Sequence, residues 1–238
     1  MFFLASRGYR CIAHDRRGHG RSEKPWRGHA LDTYADDLAE LVQKLDLKSV
    51  IHIGHSTGAS EIARYIGRHG TKRVAKTILI AAAIPALVRS ESNPEGIPLE
   101  RFEEMKAQII NDRSTFFKDL CLRFYGYNRD ASQPSESVCL SFWLEAMKLG
   151  LPAACFSIDV MSRAHTAKDL GFIDVPTLII HGDDDQIIPI GASALTASGI
   201  IKTATLKIFK GAPHGVHKTR VREINADVLR FLTSGDVA

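Results

Sequence analysis

Ser56, Asp185 and His214 are the residues of this 238-residue chain whose settings could support nucleophilic chemistry. Ser56 sits at the centre of Gly54-His55-Ser56-Thr57-Gly58. A β-branched run, Val50, Ile51 and Ile53, precedes it, and Ile62, Ala63 and Ile66 follow at helical spacing. This pattern predicts a buried strand, a sharp turn and a helix. A serine on such a turn is forced into a strained backbone, and glycine removes the Cβ atoms that would collide there. The turn would lift the hydroxyl clear of a sheet and leave Thr57 N–H at a helix N-terminus, where negative charge is favoured. A serine hydroxyl is a weak nucleophile at neutral pH and needs a base within hydrogen-bond reach. A histidine held in one tautomer by a carboxylate can serve. The chain offers His214 in Gly211-Ala212-Pro213-His214-Gly215 and an acid in Asp183-Asp184-Asp185.

These groups need a scaffold that brings strand ends together. Tyr9–His14, Val50–Ile53, Val74–Ala83, Val175–Gly182 and Thr205–Phe209 read as strands. Between them lie helical patterns: Leu38, Leu41, Val42 and Leu45 on one face, Pro189–Ile201, and a closing helix through Val221, Ile224, Val228, Leu229 and Phe231. Asp32-Thr33-x-x-Asp36 resembles a capping box at the start of the first of these. Alternation of this kind implies an α/β fold, a mostly parallel sheet with helices on both faces. In such sheets ligands bind beyond the carboxyl ends of the strands, and Ser56, Asp185 and His214 each follow a strand. From about Ala86 to Asp174 amphipathic helices replace strands, at Leu99–Asn111, Ser114–Phe124, Ser135–Leu149 and Pro152–Met161. The expected division is therefore a core of residues 1–85 and 175–238 and a helical cap insertion of 86–174.

Composition narrows the classes. A net charge of +4, 45% hydrophobic and 24% charged residues are those of an ordinary globular domain. Positive residues are scattered, so no nucleic-acid stripe is present. Cys11, Cys121, Cys139 and Cys155 are widely spaced, which argues against zinc and a disulfide framework and leaves reduced thiols in a cytoplasmic protein as the expectation. The apolar start Met1–Ala5 is too short for a signal-peptide core, and no apolar run reaches membrane-spanning length. Neither a metal nor a cofactor is expected.

Here a resemblance adds to the residues. Tyr9-Arg10-Cys11-Ile12-Ala13-His14-Asp15-Arg16-Arg17-Gly18-His19-Gly20-Arg21-Ser22, Ile53-Gly54-His55-Ser56-Thr57-Gly58, Arg64-Tyr65-Ile66-Gly67-Arg68-His69-Gly70, His181-Gly182-Asp183-Asp184-Asp185-Gln186 and Gly211-Ala212-Pro213-His214-Gly215 are similar to runs of the α/β-hydrolase superfamily. Within it they resemble the cofactor-free (non-haem) haloperoxidase, perhydrolase and aryl-esterase group. The resemblance implies the α/β-hydrolase fold and the chain order nucleophile, acid, histidine. It also places the acid third after the glycine ending its strand, at Asp185, and the base at His214. Asp183 and Asp184 remain rivals for the acid. His217 is the nearest rival base, read as surface, and His55 is read as a packing or pocket residue. Arg16, Arg17, His19 and Arg21 either anchor a polar loop through salt bridges or guide anionic substrates. Phe124, Phe142, Trp143 and Met147 are candidates to line an acyl pocket, or simply the core of amphipathic helices.

The implied chemistry is acyl transfer on a small-molecule ester or carboxylic acid, with hydrogen peroxide able to replace water. By the same resemblance the family carries three further strands before Tyr9, the third followed by a loop that supplies half of the oxyanion hole. The expectation is thus an N-terminally truncated form with Thr57 as one donor and the second donor missing. The competing expectation is a weakly active or non-catalytic relative. An unpaired strand edge would also invite association with another chain, a second copy included.

Overall fold

The computed structural model describes residues 1–129 and 135–234. Its sheet is built from β1 (Val50–His55), β2 (Val74–Ile80), β3 (Thr177–Gly182) and β4 (Ala204–Phe209), side by side in that order. Every neighbouring pair is parallel. β3 is buried along its whole length, which is why its sequence reads as a continuous apolar run with no alternation.

Alternate residues of the inner strands feed two cores, as the two-residue period of a strand requires. Leu79 and Ile179 point to one side, where α2 (Leu31–Lys44), α3 (Thr57–His69), α7 (Ala167–Leu170) and α8 (Thr196–Ile200) contribute Leu38, Val42, Ile62, Ile66, Leu170 and Ala197. Ile78, Ile80, Leu178 and Ile180 point to the other, against Val216 of α9 (Val216–Thr219) and Ile224, Val228 and Leu232 of α10 (Val221–Thr233). Burying a side chain such as Ile179 is worth about 1.5–3 kcal/mol. These two cores fix the strand ends on which the site is carried. The expected helix at Pro189–Ile201 is a π-helical turn, Gly191–Leu195, running into α8.

Between β2 and β3 the described residues from Leu99 onward are largely helical and build a third core through Phe102, Ile109, Phe116, Phe117 and Ile158. α4 (Leu99–Phe124) is broken at Asp112, whose φ of −153° and ψ of 87° are not helical. Asp112 then caps the second half: its carboxylate accepts from Thr115 N–H at 3.0 Å and from Thr115 Oγ1 at 2.7 Å. The two helices expected here, Leu99–Asn111 and Ser114–Phe124, are thus both present, separated by this capped break. α5 (Glu136–Met147) and α6 (Leu151–Arg163) follow. Among the described residues no single helix is long and apolar enough to cross a membrane.

Several expectations are corrected. Tyr9–His14 is not a strand: residues 10–14 make no backbone–backbone hydrogen bond, and among the described residues β1 pairs with β2 alone. β-forming composition becomes a ladder only when it pairs with an edge, and among the described residues this segment pairs with none. Ile53 is left 45% exposed beside that open edge. Nor are all four thiols reduced. Cys121 and Cys139, 18 residues apart, form a disulfide because α4 and α5 bring their Cα atoms to 5.7 Å, while Cys11 and Cys155 are free. Finally, α2 begins at Leu31 without a side-chain cap. Asp32 and Asp36 instead pair with Arg64 at 2.6 Å and Arg68 at 2.8 Å on α3, since a carboxylate on the helix face opposite an arginine gains more there than at its own terminus.

Candidate active site

Ser56 occupies the junction of β1 and α3 with φ 56° and ψ −122°, a conformation that non-glycine residues avoid. Such strain costs on the order of 1–3 kcal/mol and persists only when the surroundings hold it. They do so through the backbone. Ser56 N–H donates to Ile80 O at 2.9 Å, and Ser56 O accepts from Ala59 N–H at 3.0 Å and Ala83 N–H at 3.1 Å. Gly54 is required by space: a Cβ there would lie 2.6 Å from the carbonyl group of Gly58. Gly58 is not, since its Cβ would meet nothing within 4 Å. The expectation of collision on both sides of the serine thus holds for one glycine only. Thr57 N–H, first in α3, has no intrahelical acceptor.

The expected acid and base are joined. His214 Nδ1 lies 2.7 Å from Asp185 Oδ2, both side chains fully buried. A carboxylate only accepts, so Nδ1 carries a proton, and whenever the ring is neutral its lone pair is the one at Nε2. That Nε2 is buried and, among the described residues, has no hydrogen-bond partner. Asp185 Oδ1 accepts from Ile187 N–H at 2.9 Å and Ile188 N–H at 2.8 Å, which fixes the carboxylate plane. His181, at the end of β3, adds Nε2 at 3.2 Å from Oδ2 and 3.0 Å from Ile188 O. Burial pushes the Asp185 carboxyl up, but the charge on His214 and the hydrogen bonds from His181 and His214 outweigh it and hold the group well below the usual carboxylate range.

The rival acids have other tasks. Asp183 Oδ1 accepts from Gly211 N–H at 2.5 Å, and Asp184 makes a two-pronged pair with Arg129 at 2.8 Å. His217 is not a surface residue: it is part-buried, its ring 4.4 Å from His55. His55 is a contact of the base itself, with Nε2 donating to His214 O at 3.1 Å and the rings 4.7 Å apart. Burial, then the charges of His214 and His217, drives the His55 pKa well below its ordinary value, and burial carries His217 down to about 4. Both rings are thus neutral near pH 7, and the structure packs them as apolar walls with one polar edge.

The four expected pocket residues divide. The Phe124 ring stands edge-on to His214 at 4.6 Å and meets Phe142 at 4.8 Å. Trp143 and Met147 pack into the core of the inserted helices, and Trp143 Nε1 donates to Ser114 Oγ at 3.3 Å. Met147 also borders an open cleft of about 830 Å³, with Lys24, Ile109 and Arg113, that includes none of Ser56, Asp185 and His214. The basic loop is anchored as salt bridges predict: Arg16 to Glu61 at 2.6 Å, Arg17 to Asp37 at 2.5 Å, Arg21 to Asp15 at 2.8 Å. His19 is part-buried against Arg17 O at 3.0 Å. Among the described residues no cluster of three or more His, Cys, Asp or Glu side chains is placed to hold a metal ion.

A parallel sheet carrying a strained serine after one strand and a buried acid–histidine pair after two others defines a hydrolase-type α/β protein. Comparison with known proteins agrees. The model of the α/β hydrolase fold family matches residues 3–221. The chain is 47% identical over 235 residues to a non-haem haloperoxidase of Rhodococcus erythropolis, covering 98% of this chain and 86% of that protein. It is 41% identical to a bifunctional esterase/perhydrolase of Acinetobacter calcoaceticus, covering 98% and 85%. The crystal structure of a bromoperoxidase from Bacillus anthracis superposes with a TM-score of 0.94 at 36% identity, over 98% of this chain and 84% of that one. The chain belongs to the α/β hydrolase fold family, and is an enzyme of its non-haem haloperoxidase-like group.

Proposed function

We propose that the protein hydrolyses carboxylic esters through Ser56, His214 and Asp185. The observation that carries this is the buried 2.7 Å pair of Asp185 and His214, whose other ring nitrogen is left without a partner. His55, the residue before Ser56, touches the His214 carbonyl, which supports placing the base above the strained serine. His214 Nε2 takes the Ser56 proton as Oγ attacks the ester carbonyl, and Asp185 balances the imidazolium that forms. Thr57 N–H faces the developing oxyanion; one such donor is typically worth about 10²–10³ in turnover. His214 returns the proton to the departing alcohol, and water, activated by the same ring, releases the acid. Phe124 and Phe142 form the apolar wall beside the base, suited to a small or medium acyl group.

The haloperoxidase and perhydrolase activities named for the relatives favour a second outcome at the same acyl-enzyme. Hydrogen peroxide in place of water would attack the acyl carbonyl, giving a peracid and free Ser56, and the peracid would then oxidise halide. The test is labelling with a fluorophosphonate and turnover of p-nitrophenyl acetate, with and without peroxide and bromide, beside Ser56→Ala. Labelling and turnover that disappear together in the variant support the reading. A folded protein that neither labels nor turns over refutes it and leaves a non-catalytic relative.

A further inference from the structure

We propose that the turn closing α4, residues Phe124 to Arg129, is a strap that holds the Asp185 loop and the His214 loop in register, with Asn128 and Arg129 as positioning residues. The inference rests on the reading of Ser56, Asp185 and His214 as the reacting groups. It concerns Asn128 and Arg129, whose side chains bond to the neighbours of Asp185.

The strap grips the acid loop on both sides of Asp185. Arg129 donates Nε to Asp184 Oδ2 and Nη2 to Asp184 Oδ1, each at 2.8 Å. Asn128 and Gln186 exchange amide hydrogen bonds, Nδ2 to Oε1 at 2.8 Å and Nε2 to Oδ1 at 3.0 Å. Asp184 and Gln186 are the immediate neighbours of Asp185, so two paired contacts fix the backbone from which its carboxylate projects. The same turn grips the base loop. Gly215 N–H donates to Phe124 O at 2.6 Å, and the Phe124 ring stands against His214. The approach is close enough to require a glycine: a Cβ at 215 would lie 2.3 Å from the Tyr125 ring. The far end of the strap is itself anchored, because Cys121, one turn before Phe124, is bonded to Cys139 of α5.

Energetics separate positioning from simple stabilisation. The Arg129 and Asp184 side chains are 49% and 32% exposed, so their pair adds little to global stability. What a two-pronged guanidinium–carboxylate contact supplies is fixed geometry. Displacing a reacting group by about 1 Å can cost on the order of 10²-fold in rate. Loss of the strap should therefore appear in turnover and hardly at all in melting.

The experiment compares Arg129→Asp, Asp184→Arg, the double exchange and the milder Arg129→Gln in the whole chain. Each single variant should lower kcat for p-nitrophenyl acetate about tenfold at unchanged KM, with Tm nearly constant. The double exchange should recover most of the loss. In parallel, the downfield proton resonance of His214 Nδ1–H should weaken in the single variants and return in the exchange. Single variants with wild-type kcat and an unchanged resonance would overturn the strap, as would a folded exchange no better than its parents. If Ser56→Ala retains full turnover, the catalytic reading fails instead. The resonance then still decides whether the strap orders the Asp185–His214 pair.

Discussion

Replacing Asp185 by Asn tests the geometry of the acid–base pair with the smallest change of shape. The Asn Oδ1 can keep both backbone bonds that Asp185 accepts, from Ile187 and Ile188 N–H, so the loop retains its form. The other end of the amide becomes a donor where His214 Nδ1 and His181 Nε2 both require an acceptor. His181 retains Ile188 O at 3.0 Å, but His214 has no such substitute. Its ring turns to the other tautomer, with the lone pair at Nδ1 facing the amide and the proton on Nε2. A ring protonated at Nε2 cannot take the serine proton, and the expected loss in kcat is on the order of 10⁴. The loss in stability is smaller. A hydrogen bond to a charged group is worth about 1.5–3 kcal/mol, which for a chain of this length lowers Tm by about 3–10 °C. The assay is ester turnover near pH 7.5 beside a thermal melt, with fluorophosphonate labelling as an independent readout of Ser56. A folded Asp185→Asn protein within tenfold of wild-type kcat would refute the assignment of the acid.

Further outcomes follow from the same structure. Burial lowers the pKa of His52 to about 4, and His217, part-buried and facing His214 and Lys218, falls to about 4 as well. The unfolded chain therefore binds their protons first; stability is full above the unfolded value of about 6.5 and declines between there and pH 4, on the order of 1–2 kcal/mol per histidine by pH 5. Melts from pH 7 to 5 in wild type and His52→Asn should show that slope flattened in the variant. Asp185, with its lowered carboxyl, adds a further acid limb of the same sign at lower pH: its stabilisation is present above about pH 4 and disappears below it. Gly54→Ala should abolish soluble, active protein, while Gly58→Ala should keep kcat within a few-fold, as measured by expression and turnover. Reduction of Cys121–Cys139 should lower stability by about 3 kcal/mol, the loop entropy for a closure of this length, visible as a Tm drop in dithiothreitol that Cys121→Ser reproduces.

The sequence carried most of the scaffold because the signals were local. Ile78 to Ile80 and Leu178 to Ile180 announce buried strands by composition, and the glycines around Ser56 announce the turn. Asp185 could be chosen among its neighbours only through resemblance, since three adjacent carboxylates are chemically alike until a partner is placed beside one of them. What stayed hidden depends on contacts distant in sequence. Arg129 meets Asp184 across 55 residues, and Asn128 meets Gln186 across 58. Polar side chains in a turn have no periodicity to betray such pairing. His181 belongs to a motif that was visible, yet its contact with Asp185 arises only when the loop folds back over the strand end. The pairing of Cys121 with Cys139 likewise needs the packing of α4 on α5. Tyr9–His14 shows the converse error, in which local preference was clear and the neighbour that would have realised it was absent.

Strand order leads to one last point. β4 lies three positions from β1 in the sheet, a span of about 14 Å at the usual interstrand spacing. Yet the carbonyl of His214, five residues past the end of β4, is held by His55 at the end of β1. The turn from Lys210 to Pro213, closed by Ala212 N–H on Phe209 O at 3.2 Å and held by Asp184 N–H on Ala212 O at 3.3 Å, carries the chain from β4 back towards that contact. Lengthening or shortening it by a single residue would leave every strand in place and still move the imidazole off its landing. Reach, set by this short turn, decides whether the imidazole of this chain can meet its serine.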